Sequence, residues 1–256
     1  MNPRAIYPHP VLLLEDTENS LVISDLHLGF EHEIAEKGVS FRSPSLNEMV
    51  SELMSLIDSH AIKRLIILGD LKHSIGSINK REWDEVPKFL ESLSSKTEVY
   101  LVPGNHDANI LHLIPNQVNH MASTGMVLKD TLLVHGHTAL PRRPIPVSRI
   151  IMGHSHPMYL KRSSVLNGQQ VWVYIRVSKR VLLFDGEGTL DLIVLPSFNR
   201  YLYATGKRVA SHSRRPISPI ISKIMQNKEA IIRCLITTLD GAIVGDASAL
   251  TYVLES

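Results

Sequence analysis

Five short blocks of this 256-residue chain carry residues that bind metals or move protons: Asp25-Leu26-His27, Gly69-Asp70, Gly104-Asn105-His106-Asp107, His135 and His154-Ser155-His156. Seven of the 13 histidines lie in or beside them, namely His27, His73, His106, His135, His137, His154 and His156. Hard divalent cations take oxygen ligands, whereas Mn, Fe, Zn and Ni also accept imidazole. A mixed Asp, Asn and His set therefore points to transition metals rather than to Mg or Ca alone. Asp25 and His27 stand two apart, as do His154 and His156. On an extended segment that spacing puts both side chains on one face. Gly69, Gly104, Gly136 and Gly153 suit tight backbone turns near such a cluster. Taken singly each block is weak, since a lone Asp-x-His or Gly-Asn-His-Asp is more often a strand end or a turn.

The elements that must position these residues follow a repeated pattern. Leu21-Val22-Ile23 leads to Asp25, Leu65 to Leu68 to Asp70, Val99 to Val102 to Asn105, Leu132 to Val134 to His135, and Ile150 to Met152 to His154. Each run has strand length and the aliphatic character of a strand buried on both faces. Leu46, Met49, Val50, Leu53, Leu56 and Ile57 fall at helical spacing over Leu46 to His60, with Ser45 as a plausible N-cap. Glu82 to Leu93 is a second helix candidate, weakened by Pro87. Alternating strands and helices imply βαβ units, a largely parallel sheet and a site at the carboxyl ends of its strands. After His156 the runs Val171 to Ile175, Val181 to Phe184 and Leu190 to Leu195 read as a second, antiparallel sheet, with a turn at Asp185 to Gly188. Ile220 to Leu235 has some helical periodicity, Asp240-Gly241 is a turn signal, and the basic stretch Tyr201 to Pro219 reads as a loop or linker.

Bulk properties exclude several classes. The length fits one large domain or two small ones. The single cysteine, Cys234, rules out an internal disulfide framework and a Cys-rich zinc site. A net charge of +2 gives no electrostatic case for nucleic acid. No run approaches the ~20 apolar residues of a membrane span, and Met1 to Asp16 shows no signal-peptide pattern. A cytoplasmic protein with no membrane association is the expectation. The oligomeric state is not readable.

The blocks D-x-H, GD, GNHD, H and GHxH, in this order and after apolar runs, resemble the calcineurin-like metallophosphoesterase superfamily over roughly residues 20 to 200. Gly69-Asp70-Leu71-Lys72-His73, the short spacing from His135 to His154, and Leu195-Pro196-Ser197-Phe198 are similar to the ICC-like phosphoesterase group, which includes archaeal members and bacterial DNA-ligase-associated enzymes. The resemblance implies an α/β fold, a four-layer αββα sandwich of two mixed β-sheets flanked by helices. With it, the expected organisation is a metallophosphoesterase domain over residues 1–206 and a C-terminal extension over 207–256, either a small appendage packed on that domain or its closing layer. The resemblance also implies two divalent metals, manganese first and Fe, Zn or Ni as alternatives. Asp25, His27 and His156 would hold one metal, Asn105, His135 and His154 the other, and Asp70 would bridge them. His106 would act on the substrate without binding metal, and Asp107 would hold its ring. Many superfamily members have GDxxD where this chain has His73, so the supporting hydrogen bonds must differ there.

Two cations ~3.5–4 Å apart clamp a phosphate oxygen and share a water that attacks phosphorus in line. His106 would assist departure of the alcohol. The expected substrate is a phosphate ester, preferentially a diester related to cyclic nucleotides or nucleic acid. The alternatives are a catalytically idle metal-binding scaffold and a nuclease of the same chemistry. His137, two residues beyond His135, and Arg142 and Arg143, between the last two blocks, are candidates for holding substrate phosphate. Arg42 is a weaker one. Lys72 and His73 either line the site or sit in a solvated loop, and Trp83 and Trp172 read as packing residues.

Overall fold

Two β-sheets face each other with helices on their outer surfaces. The computed structural model describes residues 1–31, 46–142, 144–183, 186–200, 202 and 218–254. Arg42, Ser45, Arg143, Phe184 and Asp185, together with Tyr201 and residues 203–217 of the basic stretch, lie outside the described residues. The first sheet runs in order β1 (Asn2–Ala5), β2 (Leu12–Glu15), β3 (Ser20–Ile23), β4 (Arg64–Leu68), β5 (Glu98–Val102) and β6 (Val118–His120). Its first three strands pair antiparallel and β3 to β6 pair parallel. The second sheet contains β7 (Met126–Leu128), β8 (Thr131–Val134), β9 (Arg149–Met152), β11 (Gln169–Ser178), β12 (Thr189–Val194), β13 (Ile231–Thr238) and β14 (Ile243–Gly245). The short β10 (Met158–Tyr159) pairs with β11 off its main path. The order is β14-β13-β11-β12-β9-β8-β7, with β8, β9 and β12 parallel.

This revises four expectations. The five apolar runs do not form one sheet, because β8 and β9 belong to the second, which begins at Met126 rather than after His156. That sheet is mixed, not antiparallel, since β12 joins β9 in parallel. The Val181 run is not a strand: residues Lys179–Val181 form a 3-10 turn within the β11–β12 connection. Ile220 to Leu235 splits between a helix ending at Gln226 and strand β13, whose β-branched Ile231, Ile232, Ile236, Thr237 and Thr238 favour extension.

Alternation of side chains along each strand accounts for the layers. In the first sheet, Leu21, Ile23, Leu65, Ile67, Val99 and Leu101 point outward onto α1 (Leu46–Ser59) and α2 (Lys80–Ser94). Their neighbours Val22, Ile66, Leu68 and Val102 point inward and meet Leu133, Ile151, Trp172, Ile193 and Leu195 of the second sheet. The other face of that sheet, including Ile150, Val173, Leu192 and Ile236, packs on α3 (Pro219–Gln226) and on Val253 and Leu254 of α4 (Thr251–Leu254). Strands buried on both faces need continuous aliphatic runs, which is what the sequence displays. Trp172 is wholly buried in the inter-sheet layer, whereas Trp83 is 51% exposed and is not a core residue. No helix among the described residues is long and apolar enough to cross a membrane.

The helix α2 tolerates Pro87. A proline in a helix interior costs about 3 kcal/mol, but Val86, Phe89, Leu90 and Leu93 are fully buried, each contributing roughly 1.5–3 kcal/mol. Its start is fixed by a reciprocal capping box between Asn79 and Glu82. The end of α1 has a different closure. Ala61 N–H donates to the Asp58 carbonyl at 3.4 Å and Ile62 N–H to that of Ile57 at 3.0 Å, with Ala61 left-handed at φ 49°. Glycine is the natural residue there. Ala61→Gly is expected to stabilise the fold by about 0.5–1 kcal/mol, raising Tm by roughly 2 °C in differential scanning calorimetry.

Candidate metal centre

Parallel strands deliver their carboxyl ends to one edge of each sheet, and the two edges meet. Asp25, Asp70 and Asn105 follow β3, β4 and β5, while His135 and His154 follow β8 and β9. Backbone hydrogen bonds tie the loops together within the first sheet: Asp25 N–H to the Gly69 carbonyl at 3.0 Å and His27 N–H to that of Asp70 at 2.9 Å. Across the sheets, His154 N–H donates to the Asp25 carboxylate at 3.1 Å. Asn199, fully buried, adds Nδ2–H to the Leu26 carbonyl at 3.1 Å.

The loops that carry these residues are not extended, although the two-residue spacing predicts extension. Eight described non-glycine residues have positive φ, and five of them are Asp25 (57°), His27 (48°), Asp70 (50°), His154 (65°) and His156 (39°). A non-glycine residue there costs of order 1–3 kcal/mol and persists only when its surroundings hold it. The left-handed turns, rather than strand pleating, aim these side chains together. Glycines allow the loops to approach. A Cβ on Gly153 would lie 2.7 Å from Asp25 Oδ2, and one on Gly104 2.5 Å from the Asp70 nitrogen and closer still to its Oδ1.

Ligand atoms of Asp25, His27, Asp70 and His156 all lie within 4.8 Å of one another, those of Asp70, His135 and His154 form a second such group, and those of His27, His73 and His106 a third, without a carboxylate. Asp70 belongs to the first two. Its Oδ2 is 3.6 Å from His27 Nε2 and 3.4 Å from His135 Nε2. His156 Nε2 is 2.9 Å from Asp25 Oδ1, and Asn105 Oδ1 is 3.2 Å from His135 Nε2. His135 Nδ1 faces the Leu68 carbonyl at 2.8 Å, so its Nε2 is the nitrogen turned to the cluster. This set of two carboxylates, one amide oxygen and four imidazoles, with no thiolate, fits divalent transition metals.

The electrostatics fit a cation as well. Burial raises the Asp25 carboxyl, but His156 and His135 outweigh it and leave it lowered. Burial likewise opposes ionisation of Asp70, yet His135 and His27 hold it well below the usual carboxylate range. Burial and its histidine neighbours push His27 well down, and burial and His135 bring His154 to about 4. His135 goes the other way: burial disfavours its cation, but Asp70 and Asp25 raise it to about 9. At neutral pH, without metal, a proton on His135 supplies the positive charge that the buried carboxylates require.

His106 and Asp107 are placed differently from the expectation. The Asp107 carboxylate does not hold the His106 ring. It is buried beneath the loop and accepts backbone N–H from Gly104 at 2.7 Å, Leu71 at 2.9 Å and Lys72 at 3.3 Å. The His106 ring instead donates from Nδ1 to the His73 carbonyl, and its backbone N–H meets Asp70 Oδ1 at 2.9 Å. The His73 side chain turns to His27, with the two Nδ1 atoms 3.3 Å apart. Lys72 neither lines a cleft nor sits in a solvated loop: it is fully buried, with Nζ donating to the Ser74 carbonyl. His137 is half-buried, its ring 5.1 Å from that of His135. Arg142 is exposed, and no hydrogen bond or ion pair ties it to the cluster among the described residues. Sequence reasoning missed Asn199 and Glu82. Only the Asn79-x-x-Glu82 capping pattern signalled the second.

The family model for calcineurin-like phosphoesterases matches residues 19–172. The chain belongs to this family. It is a calcineurin-like phosphoesterase, a hydrolase of phosphate esters from a family that depends on divalent metals. Two solved structures are similar to it. The Pseudomonas putida nuclease MPE shares 22% identity, covering 77% of this chain and 88% of that one, with a TM-score of 0.47. The phosphoesterase Yfce from E. coli shares 15% identity, covering 90% and 98%, with a TM-score of 0.36. No curated protein sequence matches the phosphoesterase.

Two outcomes are expected. Gly104→Ala forces its Cβ onto Asp70 and should cut metal per chain to half or lower by elemental analysis, whereas Gly76→Ala, with nothing within 4 Å of the added carbon, should not. Metal uptake at pH 7 should release the His135 proton. Because His135 is raised to about 9, affinity should climb as pH rises from 7 toward that value. Calorimetry in buffers of different ionisation enthalpy measures the release, and a flat affinity across that range would exclude it.

Proposed function

We propose that this phosphoesterase hydrolyses phosphodiesters, of the cyclic-nucleotide or nucleic-acid kind, at a centre of two divalent metals, with manganese as the first choice. The observation that carries this reading is the Asp70 carboxylate, shared by the two candidate ligand groups that contain carboxylates. Asp25, His27 and His156 would hold one ion and Asn105, His135 and His154 the other, with Asp70 between them. When bound, the pair supplies charge to neutralise the phosphate and a water acidic enough to ionise near neutral pH.

The protein's own residues do the rest. Asp107 clamps the backbone of Leu71, Lys72 and Gly104 and so holds the loops that carry Asp70 and Asn105. His106, fixed through Nδ1, has Nε2 to give a proton to the leaving oxygen. A water oxygen forms the new P–O bond as the bond to the leaving oxygen breaks, and the electron pair goes to that oxygen, which the proton then neutralises. A diester suits the cluster better than a dianionic monoester. A second negative charge is ordinarily met by cationic side chains, and among the described residues Lys72 Nζ is spent on the Ser74 carbonyl and no hydrogen bond or ion pair ties Arg142 to the cluster.

The test is to purify without chelator, count metal per chain, and assay bis-p-nitrophenyl phosphate against p-nitrophenyl phosphate with added manganese. Two metals and faster turnover of the diester are expected. Asp70→Asn and His156→Ala should abolish turnover and lower metal content. His106→Ala should keep its metal and lose about 10²–10⁴-fold on esters with a poor leaving group. Two metals without turnover of any phosphate ester would instead indicate an idle scaffold. Salt-dependent cleavage of single-stranded DNA or RNA would identify a nuclease.

A further inference from the structure

The His106 Nδ1–H needs an acceptor, which for a catalytic imidazole is often a backbone carbonyl or a carboxylate. Here the acceptor is the carbonyl of the His73–Ser74 peptide. The N–H of that same peptide unit, on Ser74, donates to Glu82 Oε1 at 2.7 Å. Glu82 Oε1 also accepts from His73 N–H at 3.1 Å, and Oε2 from Asn79 N–H at 3.0 Å. The side chain is fully buried, so it keeps these bonds without competition from water. An ordinary helix cap sits at an exposed terminus and serves its own helix. This one reaches back nine and eight residues to hold the strand-to-helix loop.

We propose that Glu82 is a positioning residue for His106, acting through the His73–Ser74 peptide. A carboxylate on the N–H of a peptide polarises its carbonyl, and hydrogen bonds in such a chain strengthen one another in a low-dielectric interior. Glu82, the peptide and His106 thus form a relay in which the carboxylate's charge reaches the imidazole one peptide away. The relay keeps the Nδ1 proton in place while Nε2 gives its own to the leaving oxygen. Lys72 and Asp107 brace the same loop from the other side, the first through the Ser74 carbonyl and the second through the Leu71 and Lys72 nitrogens.

The inference rests on the proposed role of His106, and the experiment separates the two. The probes are p-nitrophenyl and phenyl esters of the class, mono- or diester, that the wild type turns over. p-Nitrophenolate leaves unaided, whereas phenolate needs the proton. Glu82→Ala should keep metal content and KM, change kcat on the p-nitrophenyl ester by less than about 3-fold, and lose about 10–100-fold on the phenyl ester. Glu82→Gln, which keeps an oxygen acceptor without the charge, should fall between and serves if the alanine variant does not fold. Combining Glu82→Ala with His106→Ala should add nothing on the phenyl ester beyond His106→Ala, as for residues acting as a unit. Val86→Ala, one turn further along α2, weakens the helix packing and should leave the phenyl to p-nitrophenyl ratio at its wild-type value. If His106→Ala shifts this ratio and neither Glu82 variant does, or if the Glu82 variants lose equally on both esters, the relay is wrong. If His106→Ala itself leaves the ratio unchanged, the fault lies with the role of His106.

Discussion

Two carboxylates, Asp25 and Asp70, are buried where the edges of the sheets meet, and burying a charge costs several kcal/mol unless opposite charge accompanies it. The immediate surroundings supply imidazoles and backbone N–H groups. The consequences run through the whole site. His135 is held toward its cation, His156 closes on Asp25, and His154 N–H is drawn across from the second sheet to the Asp25 carboxylate. A constellation that must recruit a proton to balance itself is one in which a divalent cation can take the proton's place. Metal binding and the docking of the sheets along this edge are in that sense one electrostatic requirement met in two ways.

The backbone bears part of the cost. Left-handed conformations at Asp25, His27, Asp70, His154 and His156 are each unfavourable and are kept by bonds that converge on the same loops. The Gly69 and Asp70 carbonyls receive the N–H groups of Asp25 and His27, and Asn199 and Asp107 fasten the adjoining peptides. None of these fastenings works alone, because the loops come from different strands and each holds its neighbour. The aliphatic layers behind them fix where the strands end, and strand ends fix where the turns begin.

Much of this was legible beforehand, for identifiable reasons. A strand buried on both faces must be aliphatic throughout, so the runs before Asp25, Asp70, Asn105, His135 and His154 stood out as strands. Which sheet each joins was not legible. Parallel strands of the same composition look alike whether they pair with β5 or with β12, so from sequence β8 and β9 read as strands of the first sheet. The partners of Asp107 and His106 were hidden too. Adjacency in sequence suggested that the carboxylate served the ring, but Asp107 turns back onto the Gly104 nitrogen three residues earlier. Such local bonds between a carboxylate and the backbone are common wherever Asp occurs in a turn, and they compete with any distant role.

His73 shows how a histidine beside the cluster is accommodated. A carboxylate at that position could face a neighbouring imidazole directly. A histidine there cannot supply the same charge, and its ring is taken up against His27. What the position still offers is its carbonyl, since a main-chain acceptor is present whatever the side chain. A carbonyl is a weaker partner for an imidazolium than a carboxylate, because it carries only a partial charge. That deficit falls if the peptide is itself polarised by a buried anion on its other side. Glu82 stands in that place, fixed by its role in the cap of α2. In the proposed relay the helix start and His106 depend on the same side chain, which would tie the chemistry of one loop to the folding of the next element.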